Sequence, residues 1–247
     1  MVNFKISIAE TTVEIKCLYE STKNFCCKYI TDNPPDFTIE IVASDIEYER
    51  NRSYQEDERN NREKVQFSNE YLETLAVYRK IAEELPLYNT FLFHGSAVAI
   101  DGNGYVFTAK SGVGKSTHVG FYREKFADRA VMVNDDKPLI LVNEKGVFVC
   151  GTPWSGKHEL NTNIIVPLKA VCVLNRAEQN SISKVNFYSV LGKIYSQSYK
   201  PTSPQALKKV LQLLSEMSDK VNFFNLYCNK DPKSALISYE GMKKFET

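Results

Sequence analysis

Residues 109–116 read Ala-Lys-Ser-Gly-Val-Gly-Lys-Ser, and the segments flanking them limit what the chain can build there. Tyr105-Val-Phe-Thr108 is a short β-rich run, and Thr117 to Phe126 reads as a helix. A strand, a glycine-containing loop and a helix in that order make a phosphate cradle, or P-loop. Gly112 and Gly114 let the backbone turn its N–H groups inward at distances a Cβ would obstruct. Lys115 can reach β- and γ-phosphates, and the Ser116 hydroxyl can ligate Mg²⁺. Phosphate would then lie on a helix N-terminus, where free N–H groups and the dipole favour negative charge. Ala109 replaces the glycine that usually opens such a loop. Ser111, Gly112, Val113, Gly114, Lys115, Ser116 and Thr117 are therefore the candidate nucleotide-binding residues, with ATP and Mg²⁺ the candidate cofactors.

Phosphoryl chemistry needs more than a cradle; it needs a metal ligand and a group that deprotonates or positions the nucleophile. Asp135-Asp136 ends the apolar run Ala130-Val-Met-Val133, twenty residues after Lys115. One carboxylate can hold Mg²⁺, and the other can take a hydroxyl proton. His94 follows Phe91-Leu-Phe93; a hairpin from there to the loop strand would bring it beside the phosphates. Gly151-Thr-Pro-Trp-Ser-Gly-Lys157 holds the only tryptophan. This segment either contacts nucleotide or acceptor, or seats Trp154 beneath the loop. His158-Glu159 lacks a second histidine four residues on, which excludes a zincin helix.

Composition removes several function classes. A formal net charge of +1 leaves no excess of Lys and Arg to neutralise nucleic-acid phosphates. No apolar run approaches the ~20 residues of a membrane span, and Met-Val-Asn-Phe-Lys-Ile carries no signal-peptide apolar region. Six cysteines without a CxxC pair suggest reduced thiols and a cytoplasmic protein. Of 11 glycines none precedes Gly95 and nine fall between Gly95 and Gly156, so tight turns and close ligand approach concentrate there.

The expected organisation is a β-rich N-terminal region over 1–66 packed on a core over 67–247, or one continuous domain. Phe4–Ile8, Thr12–Lys16 and Phe37–Val42 alternate as half-buried strands do. The mixed-charge run 45–64 reads as a solvated hairpin or helix face. Phe67, Tyr71, Leu75, Tyr78 and Leu85 lie near a helical stripe that suggests core packing, ended by Pro86. Strands are expected over 91–93, 96–100, 130–133 and 168–174, with a hairpin joining 139–142 to 147–150. Ser203-Pro204 is an N-cap and first-turn pair for a helix carrying Leu207, Val210, Leu211 and Leu214. A strand over 221–227 and a helix from about Pro232 close the chain.

Phe93-His94-Gly95-Ser-Ala-Val, Asp101-Gly-Asn-Gly104, the octapeptide and Val133-Asn134-Asp135-Asp136, in that order and spacing, resemble the catalytic domain of HPr kinase/phosphorylase. That domain is similar to the nucleotide-binding core of phosphoenolpyruvate carboxykinase. The resemblance, specific over 91–142, implies an α/β (α+β-like) fold with the P-loop in a mixed β-sheet, a small N-terminal β unit and C-terminal helices. It implies Asp135 as acid/base at the acceptor hydroxyl, Asp136 nearer the metal with Ser116, and His94 and Lys115 beside the transferred phosphoryl group. Thr117 stands where the bifunctional enzymes carry Glu, and their downstream Arg-Gly signature is replaced by the Gly151–Lys157 loop. This resembles the smaller HPr-kinase-like proteins, some of which accompany peptide-modification gene sets. The expected activity is ATP-dependent phosphorylation of a Ser or Thr hydroxyl on a peptide or protein, or of a small metabolite. The hexamers of those relatives make a homo-oligomer an expectation. The alternative is a non-catalytic ATP-binding regulatory or assembly module.

Overall fold

The computed structural model describes residues 1–110 and 112–245, which divide after Glu84 into two compact units. In the first, β1 (Val2–Ile8) and β2 (Thr11–Cys17) pair antiparallel, and β3 (Phe37–Glu40) adds parallel to β2. Period-two alternation buries Phe4, Ile6, Ile8, Val13 and Ile15. The hairpin turns through Ala9 and Glu10 at φ of 47° and 64°. Such turns favour Asn and Gly, so this one carries no sequence signal.

Three helices complete the unit: α1 (Glu20–Phe25), α2 (Ala43–Arg59) and α3 (Asn69–Glu84). The mixed-charge run is largely α2, and its acids are engaged. Asp45 accepts from the Val42 N–H at the helix start and from Lys80 of α3 at 2.7 Å, while Glu49 pairs with Arg79. The buried face of α3 is Leu72, Ala76, Val77 and Ile81, not the aromatic stripe; Tyr71 is exposed and stacks with Phe67 at 4.9 Å. The cause is Glu73. Its wholly buried carboxylate accepts from the Leu18 and Tyr19 N–H groups at 2.7 and 3.1 Å and from the Thr22 hydroxyl. An unpaired buried carboxylate would be far costlier than an exposed tyrosine, so Glu73 sets the rotation of the helix. These contacts also tie α3 to the first unit, so the division follows the helix instead of falling between 66 and 67.

The second unit, 85–247, is built on one mixed sheet. Its strands are β4 (Thr90–Leu92), β5 (Ser96–Ile100), β6 (Asn103–Thr108), β7 (Ala130–Asn134), β8 (Leu139–Asn143), β9 (Gly146–Cys150), β10 (Ile165–Arg176), β11 (Ser181–Val185) and β12 (Asn222–Cys228). The path runs β4-β8-β9-β10-β6-β5-β7, with β12 on β10 and β11 on β12. β6, β10 and β12 are parallel; β5 is antiparallel to β6 and β7. Helices α4 (Lys115–Phe126), α5 (Phe187–Gln197), α6 (Pro204–Lys220) and α7 (Lys233–Lys243) cover both faces.

Burial on both faces explains why β6 reads as a continuous apolar run. Val106, Val171, Val173 and Phe223 point to one face with Ile194 of α5 and Val210 and Leu213 of α6. Tyr105, Phe107, Cys172 and Phe224 point to the other with Val119 and Tyr122 of α4 and Tyr239 of α7. Truncating a fully buried ring such as Phe107 would cost about 3–5 kcal/mol. α6 starts where Ser203-Pro204 predicts, the Ser203 hydroxyl accepting from the Ala206 N–H. α1, β11 and α5 lie outside the sequence expectations; α5 starts on an Asn186 side chain that accepts from the Tyr188 N–H at 2.9 Å. No helix among the described residues is long and apolar enough to cross a membrane.

Candidate functional site

The central parallel strand β6 delivers the chain to the loop, and α4 begins at Lys115 immediately after it. Gly112 and Gly114 sit at φ of 78° and 123°, a region that L side chains rarely adopt, and a Cβ on either would meet no atom within 4 Å. They are glycines for backbone shape, and open space lies above them. Ser111 lies outside the described residues. Lys115 folds back across the loop to the Ala109 carbonyl at 3.3 Å. Burial pulls its ammonium down from the ordinary lysine value, with Asp136 opposing and Lys137 adding to the shift.

The acidic pair reaches the loop through the β5–β7 pairing. Asn134 stands opposite Ala97 at the end of β7, and the Gly95 N–H donates to the Asp136 carbonyl at 3.0 Å. Ser96 donates to the Asp135 carbonyl at 2.8 Å. Thr108, at the end of β6, donates to the His94 carbonyl at 3.0 Å. Three strand ends are thereby tied together, and His94, Lys115, Asp135 and Asp136 line one cavity of about 570 Å³. Gly112, Gly114, Ser116, Thr117, Gly156, Lys157 and His158 complete its lining. Val113 lies outside it; its carbonyl accepts from the Arg176 guanidinium at 3.3 Å.

The two carboxylates occupy unlike environments. Burial pushes Asp135 above the ordinary carboxylate range; the Gly156 N–H it accepts from opposes that, and the Asp136 charge adds to it. Burial would raise Asp136 too, but the hydrogen bond from His94 Nε2 at 3.2 Å and the adjacent Lys137 ammonium hold it well below that range. Adjacent acids driven apart in this way suit one for proton transfer and the other for permanent charge.

Asn134 positions the pair. It is wholly buried, and its Oδ1 accepts from the Asp136 and Lys137 N–H groups at 2.9 and 2.6 Å. Its Nδ2 donates to the Thr152 and Trp154 carbonyls at 3.1 and 3.0 Å, clamping the 151–157 loop. Trp154 is buried in the packing, whereas Gly156 and Lys157 face the cavity.

Two residues escaped the sequence reading. Arg176, ending β10, donates to the Val113 and Gly112 carbonyls and so braces the loop. Its signal was an arginine closing an apolar strand beside the loop strand, where α/β sheets bind ligands. His158 lines the cavity, but its sequence context marked it only as a failed zincin motif.

An ATP phosphate chain fits this donor set: an open glycine cradle, a helix N-terminus and the Lys115 ammonium, with Lys157 also on the cavity wall. Ser116 and Asp136 offer the hard oxygen ligands that Mg²⁺ accepts alongside phosphate and water. Among the described residues no group of three His, Cys, Asp or Glu side chains forms a separate metal site.

Residues 58–200 match the family described as SynChlorMet cassette protein ScmC. The chain belongs to the ScmC family. The match covers more than half of the sequence and includes His94, the loop, the acidic pair and the 151–157 segment. No curated protein matches. Among solved structures, the HPr(Ser) kinase/phosphatase from Coxiella burnetii is similar at 9% identity, covering 62% of this chain and 88% of that one. Its TM-score of 0.36 marks a weak fold-level link and carries no argument about activity.

Proposed function

We propose that this protein is an ATP-dependent kinase that transfers the γ-phosphate to a hydroxyl group. The observation that carries the reading is the convergence of Lys115, Ser116 and two unlike carboxylates on one cavity. A phosphate cradle alone would need no acidic pair; a transfer site needs both.

Asp135 accepts the acceptor hydroxyl's proton as its oxygen bonds to the γ-phosphorus and the bond to the bridging β-oxygen breaks, releasing ADP. The Gly156 N–H holds the Asp135 carboxylate in place for this. Lys115 offsets charge developing on the phosphoryl oxygens, and the N-terminus of α4 adds its dipole. Ser116 and Asp136 would hold Mg²⁺, which when bound neutralises charge between the β- and γ-phosphates. His94 orients Asp136 through its 3.2 Å contact.

The test compares Mg-ATP affinity and phosphate transfer from labelled ATP in the wild type, Asp135→Asn and Lys115→Ala. Asp135→Asn should keep Mg-ATP affinity and lose transfer by roughly 10²–10⁴-fold, the range general-base catalysis supplies. Lys115→Ala should lose nucleotide binding. If the wild type binds Mg-ATP yet transfers phosphate to no offered hydroxyl, the kinase reading is lost and an ATP-binding module remains.

A further inference from the structure

Behind the phosphate-side cavity lies a second one of about 340 Å³, and the two meet at Asp135, Ser116 and His158. Part of its wall is apolar, from Val119 of α4, Met132 of β7 and Leu160. Gly120 of α4 lines it as well, and this glycine is unexplained by the fold. It sits inside a helix without positive φ, and a Cβ there would meet nothing within 4 Å. Glycine inside a helix costs about 1 kcal/mol against alanine, and here neither packing nor backbone shape requires it. What the missing side chain provides is room in the cavity.

At the outer rim stands Arg123, exposed on α4. Among the described residues no carboxylate lies within ion-pair distance of Arg123. The cavity therefore runs from a cation at the surface, past an apolar wall, to the Asp135 carboxylate.

We infer that this second cavity seats the acceptor, and that the acceptor is a peptide whose hydroxyl is flanked by an apolar residue and an acidic one. The hydroxyl enters where the two cavities meet, within reach of both Asp135 and the γ-phosphate, the apolar side chain fills the space left by Gly120, and the carboxylate pairs with Arg123. The inference rests on the kinase reading above and adds the class of substrate to it.

The probes are serine peptides with leucine beside the serine and either glutamate or lysine placed within four residues of it. They are offered with Mg-ATP to the full chain and to three variants. The wild type should prefer the glutamate peptides. Arg123→Glu should reverse that preference, mainly through KM and by roughly five- to tenfold, as expected for an exposed ion pair turned repulsive. Arg123→Lys should retain the preference in weaker form. Gly120→Leu should abolish transfer while the Mg-ATP Kd stays within about twofold, since its side chain enters open space away from the cradle. Equal use of both peptide sets, transfer surviving Gly120→Leu, or no peptide phosphorylated by a wild type that binds Mg-ATP would overturn the acceptor assignment and leave the nucleotide site standing. Failure of the wild type to bind Mg-ATP would instead overturn the kinase reading, and the acceptor with it.

Discussion

Replacing Asn134 by aspartate changes one group, –NH₂ to –O⁻, at the joint between the acidic pair and the 151–157 loop. Oδ1 keeps its role toward the Asp136 and Lys137 N–H groups. The other oxygen would face the Thr152 and Trp154 carbonyls, which now accept from Nδ2 at 3.1 and 3.0 Å. The Thr152 hydroxyl can turn its single proton to the new carboxylate, but it then stops donating to the Lys137 or Trp154 carbonyl, each 2.9 Å away. Each buried carbonyl left without a donor costs about 1–3 kcal/mol, so two cost about 2–6. Taking ~3 kcal/mol, release of the loop should become roughly a hundredfold easier. Trp154, the only tryptophan and 5% exposed, reports that event directly. Asn134→Asp should shift its emission to the red, increase acrylamide quenching and lower the urea midpoint read by tryptophan. Because Gly156 on the same loop holds Asp135, phosphate transfer should fall while Mg-ATP still binds. Unchanged emission and quenching, with stability within about 0.5 kcal/mol of wild type, the ordinary scatter of surface substitutions, would refute the clamp.

Gly151→Ala places a Cβ 1.9 Å from the Thr162 carbonyl oxygen and 3.0 Å from that of Val133. Both atoms are backbone and cannot rotate away, so a loss of roughly 2–4 kcal/mol is expected, checked by thermal unfolding followed at Trp154. His118, 3% exposed between Ser234 and Ser238, has its imidazole pulled down by burial from 6.5 to about 4. The unfolded chain then binds a proton that the folded one refuses. This contribution is complete above pH 6.5, declines as pH falls towards 4 and is level below that. It amounts to about 3 kcal/mol at 1.36 per unit. Urea unfolding of the wild type and His118→Gln at pH 7 and 4.5 should show a steeper loss in the wild type; parallel losses would argue against it.

What could be read from residue order was what neighbours along the chain decide. The octapeptide between a β-rich run and a helical run is a strand–loop–helix, with Gly112 and Gly114 at the positive φ their placement implied. The 139–150 hairpin and the start at Pro204 likewise follow from turn and cap chemistry. Where two patterns competed, local reading failed. The aromatic stripe of α3 lost to one buried carboxylate, and the hairpin at Ala9-Glu10 turned without glycine.

The candidate site shows the same division. The residue types around the loop were legible because each proposed function needs a particular chemistry: glycine for backbone shape, lysine for phosphate, carboxylates for metal and proton. The roles of the two aspartates were not, because role depends on surroundings that arrive from distant segments. A register shift between Ala97 and Val98 in the β5–β7 pairing sets Asn134 opposite Ala97. His94 and Lys137 then flank Asp136, while Asp135 turns to the Gly156 N–H between two cavities. Sequence alone determined the strand, the positive-φ glycines and the helix around residues 109–117, which the proposed phosphate cradle uses. The unlike surroundings of the two acids were decided only when the sheet brought those segments together, because burial and charge pairing belong to the folded environment and not to the residue.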